Sequence, residues 1–148
     1  MVYLVDTSVL VRSVHLGDPR RHVARSAVRI LRGAGHRLCI LPQNVAEFWA
    51  VCRRPASSNG LGFSAQRTRR YISSFEPMFE LCYETSDVFQ EWRRLLAELD
   101  IPGRQIHDAR SAPAVTVHRL DQVLTFDTKH FSRFPAISVA DPAKAASS

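Results

Sequence analysis

Val2-Tyr3-Leu4-Val5-Asp6-Thr7-Ser8-Val9-Leu10 begins with four consecutive apolar, β-prone residues and turns polar at an aspartate. A strand that faces water on one side alternates apolar and polar positions. One that is apolar throughout is buried on both faces, as in a parallel sheet covered by helices on each side. A hydroxyl of Thr7 or Ser8 can cap the helix that follows, which carries Val9, Leu10, Val11 and Val14 on its inner face.

The same alternation continues along the chain. After the break at Gly17-Asp18-Pro19, the apolar residues Val23, Ala24, Ala27, Val28, Ile30 and Leu31 recur with helical spacing up to Gly33-Ala34-Gly35. Leu38 to Leu41 reads as a second strand. Pro42 suits the first turn of a helix with Val45, Phe48, Trp49 and Cys52 inside. The Pro-, Ser- and Gly-rich stretch from Arg53 to Phe63 is expected to be a mobile loop, and Ala65 to Phe75 a helix. Phe79 to Tyr83 is a third strand, followed by a helix capped by Ser86. Another helix begins near Asp108, Gln122 to Thr125 is a fourth strand, and Ile137 to Val139 a fifth. This order predicts an α/β fold, a three-layer α/β/α sandwich with a mainly parallel central sheet of 4–5 strands. A single domain is expected over residues 1–142, with 143–148 as a frayed tail.

With 45% hydrophobic residues among 148, the chain can bury a real core. No apolar run approaches the roughly 20 residues of a membrane span, and no basic, then apolar, leader opens the sequence. Cys39, Cys52 and Cys82 are odd in number and widely spaced, which excludes a disulfide scaffold or zinc knuckle and implies reduced thiols in a cytoplasmic protein. Net charge is +6, and 18 of the 20 cationic residues are arginines, whose planar donor fork suits phosphate. Between Pro19 and Phe75 stand eleven arginines and a single acid, Glu47.

Four acids share one context. Asp6, Glu47, Asp108 and Asp127 each fall at a strand end or in the first turns of a following helix. In a parallel sheet the carboxyl ends of the strands form one edge, where ligands bind. Carboxylates brought together there either hold protons or bind a cation. Oxygen ligands without a Cys or His cluster favour Mg²⁺ or Mn²⁺. Such an ion can activate water and neutralise a phosphodiester, with arginines holding the nucleic-acid backbone around it. Arg53 and Arg54, after the Glu47 helix, are the best candidates for that contact. Each acid also has a plainer reading, Asp6 and Asp127 as helix caps, Asp108 as a helix-start residue and Glu47 as a solvated helix position.

The stretches Val5-Asp6-Thr7-Ser8-Val9-Leu10, Asn44-Val45-Ala46-Glu47-Phe48, His107-Asp108-Ala109 and Leu124-Thr125-Phe126-Asp127-Thr128-Lys129-His130-Phe131 resemble, in order and spacing, the PIN domains, and among them the VapC-like toxins of toxin–antitoxin pairs. The resemblance runs from residue 2 to about 142. It implies that Asp6, Glu47 and Asp108 are the main metal-site acids and Asp127 a more variable fourth. Thr7 or Ser8, and Thr125, would support them. It further implies Mg²⁺- or Mn²⁺-dependent RNA cleavage by an activated water, a cognate antitoxin and a homodimer. One departure is Pro113, expected past the first turn of the Asp108 helix, where proline costs about 3 kcal/mol unless the helix kinks.

Two other functions compete. A phosphatase of the haloacid-dehalogenase type also starts with a strand and an Asp, but needs a second Asp two residues on, where this chain has Ser8. A catalytically inactive PIN-like RNA-binding domain would bind RNA without cutting it.

Overall fold

In the computed structural model, residues 1–101, 103, 106, 108–131 and 133–147 are described, Asp108 through its backbone alone. The opening apolar run is strand β1 (Val2–Val5), and its burial explains its composition. Tyr3 and Val5 enter one core, together with Leu38 and Ile40 of β2 (Arg37–Ile40) and Leu124 of β4 (Gln122–Leu124). Leu4, Cys39 and Val123, the alternate positions of the same strands, enter a second core on the opposite face. Each strand is therefore apolar on both sides. With β3 (Glu80–Leu81) and β5 (Val139–Ala140), the order across the sheet is β3-β2-β1-β4-β5, and every pairing is parallel. The expected sandwich with a parallel central sheet is thus the observed fold.

The first core lies under α1 (Thr7–Val14), α2 (Arg21–Gly33), α3 (Pro42–Arg53) and α4 (Ala65–Phe75). The second lies under α5 (Ser86–Glu98) and α6 (Ser111–Val117), with Phe131 at the end of α7 (Thr128–Phe131). Two caps differ from expectation. Asp6, not a hydroxyl, caps α1 by accepting from the Ser8 amide, and Thr85, not Ser86, caps α5 by accepting from Val88. In each case the neighbouring candidate already lies inside the helix.

Pro113 is accommodated in the first turn of its helix. A 3₁₀ turn, Asp108–Arg110, takes up the chain first, so α6 starts at Ser111 and Pro113 is its third residue. Amides of a first turn have no intrahelical acceptor, so the missing N–H removes no hydrogen bond. The Arg53–Phe63 loop is tied down rather than loose. The amides of Leu61, Gly62 and Phe63 donate to the carbonyls of Val51, Arg54 and Cys52. Gly60 allows this return, because a Cβ there would sit 2.1 Å from the Arg54 carbonyl oxygen.

Strands three and five are also shorter than expected. Ile137 plugs the second core and leaves the ladder to Val139 and Ala140, two residues later. Residues 143–145, expected to fray, belong to α8 (Pro142–Ala145), capped by Asp141, with Ala145 and Ala146 packed on the first core. Among the described residues no helix is long and apolar enough to cross a membrane.

All three cysteines are free, and Cys39 and Cys52 are buried. Burial pushes the Cys39 thiol up to about 12 and the Cys52 thiol up to about 11, so both stay neutral in the native protein. Native protein at pH 8 is therefore expected to leave both unlabelled by a disulfide reagent until denaturant is added. Rapid labelling of all three thiols without denaturant would contradict this packing.

Candidate functional site

Strand order creates the site. The chain lays β2 and then β3 on one side of β1, and returns to lay β4 and β5 on the other. Connections leave in opposite directions between β1 and β4, and the crevice at their carboxyl ends is where ligands bind in such sheets. Asp6 directly follows β1, and Thr125 directly follows β4. Their backbones are joined to the neighbouring strands by Asp6 N–H to Leu124 O (3.0 Å) and Thr125 N–H to Ala140 O (3.1 Å).

Asp6, Glu47 and Asp127 line one cavity of about 220 Å³ at this point, together with Thr7 and Ser8. Three of the four expected acids therefore reach a single crevice. The fourth, Asp108, has its side chain outside the described residues, as does all of His107. The Asp108 backbone opens the turn before α6, and Ser111, three residues on, lines the same cavity. Among the described residues, no three Asp, Glu, His or Cys side chains stand close enough together to enclose a metal ion.

Hydroxyls and amides orient the acids. Thr125, fully buried, donates from Oγ1 to Asp6 Oδ2 (2.8 Å) and accepts from the Asp127 amide (2.9 Å), so one side chain ties two of the acids. Ser8 Oγ lies 3.3 Å from Thr125 Oγ1 and accepts from the Phe126 amide. Thr7 Oγ1 donates to Glu47 Oε2 (2.7 Å), while Gln43 Nε2 donates to Glu47 Oε1 (2.5 Å). The expected supporting residues Thr7, Ser8 and Thr125 thus all touch this network.

Behind it stands a residue that the sequence reading passed over. Asn44, 1% exposed, donates from Nδ2 to Thr7 Oγ1 (3.1 Å) and accepts from the Leu41 amide at Oδ1 (2.8 Å). Leu41, Asn44, Thr7 and Glu47 form one chain of hydrogen bonds. Its signal was available: Asn44, Phe48 and Cys52 recur every fourth residue, so a polar side chain lies on the buried stripe of α3 and needs partners.

The donors to these acids are neutral. Asp18, Glu80, Glu84 and Glu91 each pair with an arginine, whereas Asp6, Glu47 and Asp127 have no Lys or Arg within ion-pair distance among the described residues. A chain of net charge +6 thus keeps three carboxylates in one crevice without a salt bridge among the described residues. Its carboxylate and hydroxyl oxygens suit a hard divalent ion, and His130 lines the same cavity.

Arg53 and Arg54 do not reach the cavity. Arg53 Nη1 donates to the Phe63 carbonyl (2.7 Å), and the Arg54 carbonyl accepts from Gly62. The Arg53 guanidinium thus serves the loop, and Arg54 enters it through its backbone. A larger apolar cavity, about 700 Å³, opens between α1, α2 and α4, floored by Val9, Leu10 and Phe75 and edged by Arg25, Arg29 and Arg32.

The PIN domain family model matches residues 3–137. No curated protein matches the chain significantly in sequence. Among solved structures, the chain is similar to VapBC2 from Rickettsia felis bound to a promoter DNA fragment, at 16% identity and a TM-score of 0.73 over 95% of this chain and 98% of that one. DNA-bound VapBC from Salmonella typhimurium aligns at 16% identity and a TM-score of 0.71, covering 96% and 98%. Mycobacterium tuberculosis VapC20, a toxin that cleaves the sarcin-ricin loop, aligns at 16% identity and 0.67, covering 89% and 95%. At such identities these likenesses establish the fold.

Proposed function

The chain belongs to the PIN domain family, and from that premise we propose that it is a Mg²⁺- or Mn²⁺-dependent endoribonuclease, the toxin of a toxin–antitoxin pair. The observation that carries the reading is the meeting of Asp6, Glu47 and Asp127 in one crevice at the strand-order reversal, oriented by neutral donors and without a cationic partner among the described residues. Side chains that merely capped helices would not need to share a cavity.

Asp6, Glu47 and Asp108, with Asp127 as a fourth acid, would hold a divalent ion, which would supply water activation and charge neutralisation at an RNA phosphodiester. Thr125 and Thr7 hold the Asp6 and Glu47 carboxylates in fixed rotamers, so little reorganisation remains when the charged substrate arrives. Asn44 fixes Thr7 in turn. Water attacks in line and no covalent enzyme intermediate forms.

The test is cleavage of a structured RNA by purified protein with Mg²⁺ or Mn²⁺, repeated with excess EDTA. Cleavage is expected only with the metal and should return on re-addition. Cleavage that persists in EDTA would remove the metal mechanism, and binding without cutting across several divalent ions would favour the inactive RNA-binding reading.

The antitoxin half of the proposal rests on the larger cavity. Its apolar floor and arginine edge complement a segment that carries apolar side chains flanked by acids.

A further inference from the structure

Two guanidinium groups share one aromatic ring beside the acidic crevice. Arg12 lies over Phe126 with Cζ 4.8 Å from the ring centroid, and Arg20, at the start of α2, lies over the same ring at 5.6 Å. Phe126 stands between Thr125 and Asp127, and its amide donates to Ser8 Oγ (3.2 Å). The platform therefore belongs to the segment that presents Asp127. Arg12, one helical turn beyond Ser8, donates from Nη1 to the Ser8 carbonyl (3.1 Å).

Carboxylates do not fill the donors of these two arginines. Asp18 is the carboxylate between the two arginines. It accepts from the Arg20 amide (2.8 Å) and Arg20 Nε (3.3 Å), and stands 3.7 Å from Arg12 Nε, too far for a hydrogen bond. Arg12 Nε is buried and makes no hydrogen bond. Burial and then the neighbouring Arg20 lower the Arg12 pKa, against the opposing pull of Asp18, Asp6 and Asp127. The unbonded Arg12 Nε and the half-exposed Arg20 side chain leave guanidinium donors for a phosphate oxygen. A guanidinium held over the ring loses less freedom on binding a phosphate.

We propose that Arg12 and Arg20, stacked on Phe126, bind the RNA phosphate adjacent to the one that meets the acids. The inference rests on the ribonuclease reading and adds a contact to it. The crevice is negative and repels RNA until its ion is present, so the strand needs a cationic hold outside it. Arg12 supplies that hold within electrostatic reach of Asp6 and Asp127, with Arg20 over the same ring, whereas the Arg53 guanidinium is engaged with its own loop.

The test uses the full chain carrying Asp6→Asn to prevent cutting, a fluorescent single-stranded RNA 12-mer, and binding measured from 50 to 200 mM salt. Adding Arg20→Ala removes a half-exposed side chain and should spare the fold. Affinity is expected to fall roughly fivefold to tenfold, and the slope of log affinity against log salt to shrink by about 0.7, the value for one lost phosphate contact on a single strand. Arg20→Lys should keep the slope and recover part of the affinity. Arg93→Ala, an exposed cation on α5 across the sheet, should change neither. A slope unchanged in Arg20→Ala overturns the proposal, including the case in which the arginines serve an acidic protein partner instead. If the Asp6→Asn parent fails to bind RNA at all, the ribonuclease reading falls with it; binding with an unaltered slope removes only the clamp.

Discussion

Asp6→Asn is expected to reduce RNA cleavage by about 10³-fold or more, since the loss of a direct ligand should exceed the 10–100-fold typical of outer-shell partners. The fold should hardly notice. Asn remains a good helix cap, so the hydrogen bond from the Ser8 amide can be kept, with a stability change within about 0.5 kcal/mol. An amide can also present its oxygen to the Thr125 hydroxyl, which now donates to Asp6 Oδ2. Without metal the substitution removes one negative charge from a crevice that keeps Glu47 and Asp127, so the melting temperature should hold or rise slightly. Mg²⁺ should then stabilise the parent protein more than the variant, because only a ligand that binds the native state shifts the melting point. Single-turnover cleavage and thermal melts with and without Mg²⁺ check both halves. Cleavage within tenfold of the parent would show that Asp6 is only a cap, and a collapse in melting temperature would show that its role is structural.

Phe48→Ala is expected to cost about 3–5 kcal/mol, the range for deleting a fully buried aromatic ring. Phe48 is 0% exposed, the residue next to Glu47 on α3, and its ring meets Phe75 of α4 edge-on, 5.0 Å between centroids at 73°. Phe75 in turn meets Phe79 at 5.7 Å, so the deletion opens a hole in a contiguous aromatic stack. Against a total stability of about 5–15 kcal/mol, such a loss leaves a marginal or unfolded protein. Urea denaturation should give a lower midpoint with an unchanged slope, and Phe48→Leu should recover much of the loss by refilling the volume. A cost below about 1 kcal/mol would mean that α3 does not depend on this ring, contrary to its burial.

The two experiments separate two roles of neighbouring chemistry. Asp6 carries charge at the crevice with little bearing on stability. Phe48 carries stability and affects cleavage only because α3 holds Glu47 over the cavity.

Much of this was legible before any coordinates. The apolar runs that became β1 and most of β2 are continuous because helices cover both sheet faces, and that burial leaves a mark on composition. The acids were legible for a related reason. In a parallel sheet all carboxyl ends share one edge, so acids that follow separate strands come to the same side of the molecule. Asp6, Glu47 and Asp127 followed that rule. Local competition blurred the rest. Asp6 and Thr7, or Thr85 and Ser86, are adjacent capping residues, and only helix geometry chooses between them. Ile137 fits a strand by type but is drawn into the second core, which displaces β5 by two residues. The end of the chain is helical because Ala145 and Ala146 have a core to pack against, a gain that local propensity does not register.

What the chain alone determined is its layered α/β character and the edge on which its acids stand, because burial and connection direction both act over a few residues at a time. Tertiary structure decided the strand order, and with it the opening of the crevice between β1 and β4. It also decided which side chains meet there. Thr7 reaches Glu47 across 40 positions, Thr125 reaches Asp6 across 119, and Arg12 and Arg20 find the Phe126 ring from the other end of the sequence. Hydrogen bonds and stacking act over only a few ångströms, so contacts between such distant residues exist only once the packed sheet has brought them together.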